Sequence, residues 1–451
     1  MIGLQALAPG RLRRAKAGSA FGHRNYRLFF IGQAVSLVGT WMQQVAQGWL
    51  VLTLGGGALG LGIVASAQFL PVMVFGLFAG VLADVLPKRQ TLIAVQIVMM
   101  VLAIVLAILT ATGVVEIWMI VVLAVLLGCA NAVDMPVRQA FAIEMVGPRD
   151  VGNAVSINSA MFNGARVIGP AMAGLTIGAF GMAPAFAINA ASFLAVIVGL
   201  RAMSDHELHR PRLVPRPRSV RAVFDNLREG LAFVRHTPIV VLAVTTVGLV
   251  ATFGMNFQVL IPPLAQDVLG SDASGYGFLM TASGIGALGA AVGLVLMGRP
   301  RPRRIVLGAI VLAIATLGLA LSTSYQMSLL LMFPIGAGGI TMAATANATI
   351  QLAVPDGLRG RVMSVYTTVF SASMPIGGLL MGGLASWLGI LESLAIGGVL
   401  SLATGIGAYA WYRRIRSTQP GSAPQIDQST APSTTAAFSP PNPNEVVSTR
   451  R

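Results

Sequence analysis

The chain has 451 residues, 55% of them hydrophobic and only 10% charged, with a mean hydropathy of +0.78. That balance excludes a soluble domain and points to a polytopic membrane protein. The net charge of +15 does not imply nucleic acid, because the basic residues are spread over alternate connections and form no single patch or recognition helix. One cysteine, Cys129, excludes an internal disulfide and reads as packing inside an apolar run.

Apolar runs of membrane-crossing length fall at 28–54, 60–83, 91–111, 117–136, 153–178 and 184–202, and again at 238–262, 275–298, 304–322, 327–348, 361–387 and 391–412. The first is too long for a cleavable signal and lacks a small-residue cleavage site. Every Lys and Arg of the chain except one lies before the first run, in every second connection, at the inner end of the sixth run, or after the last. Cytoplasmic loops retain Lys and Arg, so twelve crossings with both termini in the cytoplasm are expected. The exception is Arg166, inside the fifth run.

The expected organisation is a cytoplasmic segment at 1–25, a six-helix bundle at 26–202, a basic linker at 203–237, a second bundle at 238–413 and a disordered cytoplasmic tail at 414–451. The linker should be extended near Pro211, Pro215 and Pro217 and helical near 220–235. The tail is rich in Ser, Thr, Pro and Gln. Residues 146–174 align on 354–382, pairing Gly152 with Gly360, Phe162 with Phe370, Gly169 with Gly377 and Gly174 with Gly382. The fold class is therefore all-α and integral to the membrane, with twelve helices in two parallel six-helix pseudo-repeats. A parallel repeat places its pseudo-two-fold along the membrane normal and a substrate site between the halves near the midplane.

The run from Gly80 through Asp84 to Lys88 and Arg89 closely follows the signature loop between helices 2 and 3 of the major facilitator superfamily. Val85 and Pro87 stand where a basic residue and a glycine are usual. The opening, Phe21 to Gln33 and Gly39 to Gln44, resembles the exporter branch that includes the enterobactin exporter. The resemblance covers about residues 21–415. It implies the major facilitator fold and a gating motif of Gly80, Asp84, Lys88 and Arg89. In that motif the Asp84 carboxylate meets the N-terminus of helix 11, whose free N–H groups attract an anion, near Gly360 and Arg361. This contact would latch the outward-open state. The second half carries no acid at the matching loop, only Arg299 to Arg304.

Gly169, Pro170 and Gly174 resemble the helix 5 kink motif of superfamily antiporters, with Ala165 and Ala173 in place of glycines. Gly-Pro bends a helix and lets another approach. Arg166 lies four residues before Pro170, and a charge near mid-bilayer costs roughly 3 kcal/mol on insertion scales. Pairing with an acid, orienting a substrate, holding the halves together and snorkelling to the surface all remain open for it. Asn131, Asp134 and Arg138 share a helical face. Asp134 reads either as a proton-carrying carboxylate or as half of a structural ion pair. With Arg138 and Arg166 it forms the proton-coupling candidates.

By the superfamily plan, helices 1, 4, 7 and 10 line the cavity. The substrate-cavity candidates are Thr40, Trp41, Gln43, Gln44, Gln47, Asn131, Thr252, Asn256, Thr341 and Thr345. Gln258 and Asn347 lie nearby, and Phe253 and Phe257 offer stacking surface. These neutral groups suit an amphipathic ligand; hydrogen bonding between helices is the competing reading.

No enzyme is expected. His23, His206, His209 and His236 have no metal spacing, and no phosphate-binding Gly-Lys-Ser loop is present, so neither a metal nor a cofactor is implied. The expectation is a monomeric secondary transporter of the bacterial inner membrane. It would export a small amphipathic molecule, a drug or a siderophore, by alternating access, with protons and the lipid bilayer as its other partners. Import or flipping of a lipid-like substrate is the second reading. A non-transporting sensor or scaffold is the third.

Overall fold

A computed structural model describes the backbone of residues 18–209 and 220–417, and the side chains of these except 76–85, 220–227 and 416. Residues 1–17, the proline-rich stretch at 210–219 and the tail from 418 lie outside the described residues.

The chain threads through α1 (Arg24–Thr53), α2 (Gly57–Val85), α3 (Lys88–Ala111), α4 (Ile117–Phe180), α5 (Met182–Arg201) and the linker helix α6 (Val220–His236). It continues through α7 (Pro238–Gly254), α8 (Phe257–Pro263), α9 (Ala273–Leu296), α10 (Arg303–Ala320), α11 (Tyr325–Ala353), α12 (Asp356–Leu388) and α13 (Ile390–Ser417). Among the described residues, ten helical stretches are long and apolar enough to cross a membrane, with α7, α8 and the turn after them counted as one. The count reaches twelve for two reasons. The 64-residue α4 is bent at Gly147, whose φ of 69° is left-handed, so it carries two crossings. And α1 spans 30 residues although Gln43, Gln44 and Gln47 dilute its hydropathy. Twelve crossings return the chain to its starting face, called here the terminal face.

Three expectations need adjustment. The connection after the fourth run is not a loop: α4 stays helical past Pro136 as far as Gly147, because Val137, Phe141, Met145 and Val146 continue a buried stripe that packs on Tyr26, Phe29 and Leu92. The seventh crossing is broken at Met255 and Asn256, between α7 and α8. There the Asn256 side-chain amide donates to the Thr252 carbonyl at 2.7 Å, which supplies a bond the interrupted helix has lost. The last helix also runs on to Ser417, into residues expected to begin the tail.

The repeat is visible in the contacts of its paired glycines. Gly169 packs against α1 at Val38 and Trp41, and its partner Gly377 packs against Thr252 of α7 and Asn256 at the start of α8. Gly174 abuts Ser274 of α9, and its partner Gly382 abuts Ala58 of α2. The turns after α4 and α12 are both made by left-handed glycines, Gly181 and Gly389, at the same offset. The halves therefore meet along two equivalent seams, α4 with α9 and α12 with α2.

These seams lie away from the terminal face. Ser66 donates to the Pro375 carbonyl at 2.8 Å, Ser274 to Gly174 at 3.1 Å and Thr281 to Val167 at 3.3 Å. Gln258 donates to Gln44 at 3.1 Å, and Trp49 stacks on Tyr276 with ring centroids 6.3 Å apart. The polar contacts between the halves named here all lie away from the terminal face. There the buried cluster of the first half, around Phe141 and Leu200, draws on that half alone. The linker helix packs on α12, with Gly230 against the Arg361 carbonyl and Glu229 paired to the Arg361 guanidinium.

Within the second half, α9 and α11 touch backbone to backbone: a Cβ on Gly286 would collide with Phe333, and one on Gly336 with Ser283. Gly289, one turn on, faces open space. Gly286→Ala should therefore lower the unfolding midpoint in detergent, an overpacking cost of about 1–3 kcal/mol. Gly289→Ala should leave the midpoint unchanged or raise it; equal effects at the two positions would show that the contact is not tight.

Candidate functional site

The site grows from the kink motif of α4. Because Gly169 has no side chain, Trp41 of α1 comes against the α4 backbone. That approach sets the Trp41 ring 5.6 Å from Phe162, edge to face, and leaves the Arg166 guanidinium 5.8 Å from the Trp41 ring centre. The Arg166 carbonyl lies 2.7 Å from where a Cβ on Gly284 of α9 would stand, so the arginine sits at the seam between the halves. It is fourteen residues before the end of α4 at Phe180, about 21 Å along the helix at 1.5 Å per residue, well inside the crossing. It forms no hydrogen bond or ion pair with any described residue.

The polar stripe of α1 divides. Gln44 and Gln47 line a small, partly open cleft that they share with Gln68 of α2 and Gln258 of α8. Gln43 turns the other way and accepts a 2.6 Å hydrogen bond from Asn189 of α5, inside the first half. Thr40 donates to the Ser36 carbonyl, Asn131 to Leu127 and Thr252 to Gly248, each back along its own helix. Thr341 is half-buried on α11, while Thr345 is buried with a hydroxyl that has no partner among the described residues. The ten cavity candidates thus do not form one surface. Trp41 joins Arg166, Gln44 and Gln47 join the cleft, and Thr252 and Asn256 meet at the broken crossing.

Asp134 is wholly buried, paired with Arg138 one turn on and accepting a 3.0 Å hydrogen bond from Gln96 of α3. These contacts lie inside the first half, between α3 and α4, whereas Arg166 lies at the seam.

Gly80 and Asp84 of the gating motif lie outside the described side chains. Its two bases both brace the first half. Lys88 pairs with Glu144 at 2.8 Å. Arg89 donates to the Leu200 and Arg201 carbonyls at the end of α5, at 2.7 and 2.9 Å, and to Asp205 at 2.6 Å. A cation satisfying the last carbonyls of a helix complements its dipole.

Sequence reasoning passed over Gln68, Gln96 and Phe162. The two glutamines were detectable as amides in otherwise apolar runs; the place of Phe162 beside Trp41 was not. It also passed over the elbow after Gly147. There Asp150 accepts from Ser19 at 2.6 Å and meets His23 at 3.0 Å, while the Asn153 side chain accepts from the Ala20 amide. The Ser19 hydrogen bond, followed by that of His23, holds the Asp150 carboxyl below its usual range.

Two predictions follow from these contacts. Removing one partner of a buried ion pair leaves an uncompensated charge, at a cost of about 3–5 kcal/mol when both are buried; Arg138 is partly exposed, so its loss should cost less. Arg138→Ala should lower the unfolding midpoint, and Asp134→Asn combined with Arg138→Ala should recover most of the loss. A double variant as unstable as the single one would refute the pairing. At the elbow, a depressed carboxyl stabilises the fold above its unfolded value and loses that contribution as pH falls through the folded one. Ser19→Ala should therefore flatten the loss of thermal stability between about pH 5 and pH 3.

Comparison with known proteins agrees with this architecture. A family model described as transmembrane secretion effector matches residues 16–438. The multidrug efflux pump Tap of Mycolicibacterium fortuitum is 31% identical over 361 residues, 77% of this chain and 85% of that one. The staphyloferrin A transporter of Staphylococcus aureus is 25% identical over 393 residues, 86% of this chain and 97% of that one. Among solved structures, a bacterial homologue of the human lysosomal transporter Spinster, inward-facing and unoccupied, superposes with a TM-score of 0.66 at 14% identity, over 86% of this chain and 96% of that one. The peptide transporter POT in complex with sulfate gives 0.67 at 15% identity, over 87% and 94%. Both share the fold. The chain is a multi-pass membrane transporter of small molecules and belongs to the transmembrane secretion effector family of the major facilitator superfamily.

Proposed function

We propose that this transporter exports a small amphipathic molecule, a drug or a siderophore, from the cytoplasm across the bacterial inner membrane by alternating access. The observation that carries the reading is the asymmetry of the contacts between the halves. They are joined along two small-residue seams that lie away from the terminal face. With the termini in the cytoplasm, as the distribution of Lys and Arg supports, seams placed this way support an inward-open arrangement. Arg166 and Trp41 then stand at the inner edge of the closed seam, where a cytoplasmic molecule would arrive. Rocking of the halves 26–202 and 238–413 about this region would expose the site to the other side. The efflux role in the name of the Mycolicibacterium relative supports the outward direction.

Proton exchange is the proposed drive, with Asp134 as the carrier and Arg138 competing for its charge. Asp84 is the proposed cytoplasmic latch of the outward-open state, engaging the start of α12 near Asp356 to Arg361. Lys88 and Arg89 hold the surrounding face of the first half rigid through Glu144 and the end of α5.

Everted membrane vesicles test the reading. Addition of a panel of dyes, antibiotics and siderophores should drive substrate into the lumen, with proton release that is lost in Asp134→Asn at matched expression. Substrate movement without a proton signal would remove the coupling and leave the exporter. No movement of any compound in the energised direction would overturn export.

A further inference from the structure

Arg166 is the charge in the membrane-spanning part of this protein that the fold does not neutralise. Every other described cation is on the terminal face or, like Arg138, is paired. Arg166 is closely enclosed by protein, yet it is incompletely buried and its only described partner is the face of Trp41. No described acid stands ready for it. Asp134 is sealed against Arg138 and Gln96. Glu116, Asp267, Asp272 and Glu392 sit at helix ends away from the terminal face, and the remaining described acids lie on that face. A guanidinium at this depth is stable only beside water, an anion or both.

The surroundings select among anions. Guanidinium groups present a planar fork that matches a carboxylate in two parallel hydrogen bonds. Trp41 and Phe162 form an apolar, edge-to-face wall beside that fork, suited to a ring or short hydrocarbon attached to the charged group. Phe162 lies one turn before Arg166 on α4 and is left half uncovered by the protein itself. A cationic substrate would be repelled by Arg166 and would find no free carboxylate in its place.

We infer that Arg166, backed by Trp41 and Phe162, is an anion-recognition site that makes carboxylate-bearing aromatic or amphipathic molecules the substrate class of this transporter. The inference rests on the proposed transport role for its biological meaning, and the binding site can be tested apart from it. A substrate carboxylate on Arg166 would neutralise the seam when the site is filled. The residue that holds it is itself at the seam, because the Arg166 backbone lies against Gly284 of α9 and the neighbouring Val167 carbonyl accepts from Thr281.

The test is equilibrium binding to the full-length protein in nanodiscs, using a matched series of naphthalene-2-carboxylate, naphthalene-2-carboxamide and 2-naphthylmethylammonium. Wild type should bind the carboxylate at least tenfold more tightly than the amide and the ammonium least tightly. Arg166→Gln should abolish the preference between carboxylate and amide while amide binding persists, which shows that the site still folds. Arg166→Lys should restore part of the preference. Arg201→Gln, a cation at the exposed end of α5, should leave it intact and so control for bulk charge. Equal affinities for the three probes, a preference that survives Arg166→Gln, or no binding of any probe would each overturn the inference. Vesicle export of the dye panel by a protein without carboxylate preference would sink this inference alone. Carboxylate preference in a protein that moves nothing would sink the export reading and keep the site.

Discussion

Close approach between helices at glycine is the constraint on which this structure rests. In lipid the hydrophobic effect does little to drive one apolar helix against another, so association depends on backbone proximity and on the few hydrogen bonds it permits. Here those contacts fall at Gly62 with Gly378, Gly174 with Ser274, Gly277 with Pro170, and Gly286 with Phe333. The first three join the two halves and the last is internal to one half. Contacts of this kind are tight but carry few interlocking side chains, which suits the proposed rocking of the halves. The paired use of Gly174 and Gly382 gives the two seams matching geometry, as a rocking movement about a common axis requires.

Charge is handled in two distinct ways. Inside the first half, Asp134 is sealed with Arg138 and Gln96, so its carboxylate meets a cation and an amide donor. At the seam, the described partner of the Arg166 guanidinium is an aromatic face. A cation over tryptophan recovers part of the cost of leaving water, and the rest depends on what enters between the halves. The first arrangement partners its charge within the fold. The second leaves its charge to water or, on our proposal, to a ligand.

The terminal face of the first half is braced as one block. Lys88 ties α3 to the extended end of α4, Arg89 caps α5, and the segment at Ser19 to His23 docks on the elbow after Gly147. The linker helix is tied to the other half through Glu229 and Arg361. A movement that parts the halves on this side therefore leaves each set of contacts whole.

Local pattern was enough to establish the class, the number of crossings, the repeat and the oddity of Arg166. Hydropathy, the sorting of Lys and Arg, and the offset between Gly169 and Gly377 are properties of the chain itself, read without knowing which surfaces meet. The helical continuation from Pro136 to Gly147 was not legible, because it depends on a buried face shared with α1 and α3. The break at Met255 was equally hidden, since the side chain of Asn256 compensates for it only in the folded state. The same limit divided the glutamine stripe. Gln43, Gln44 and Gln47 look alike in sequence, yet Gln43 meets Asn189 while Gln44 and Gln47 meet the cleft. Residue type and spacing determined which helices cross the membrane and where polar groups would be found. Which of those groups face one another was decided by helix packing, because a polar side chain in a bilayer takes the partner that the neighbouring helix brings within reach.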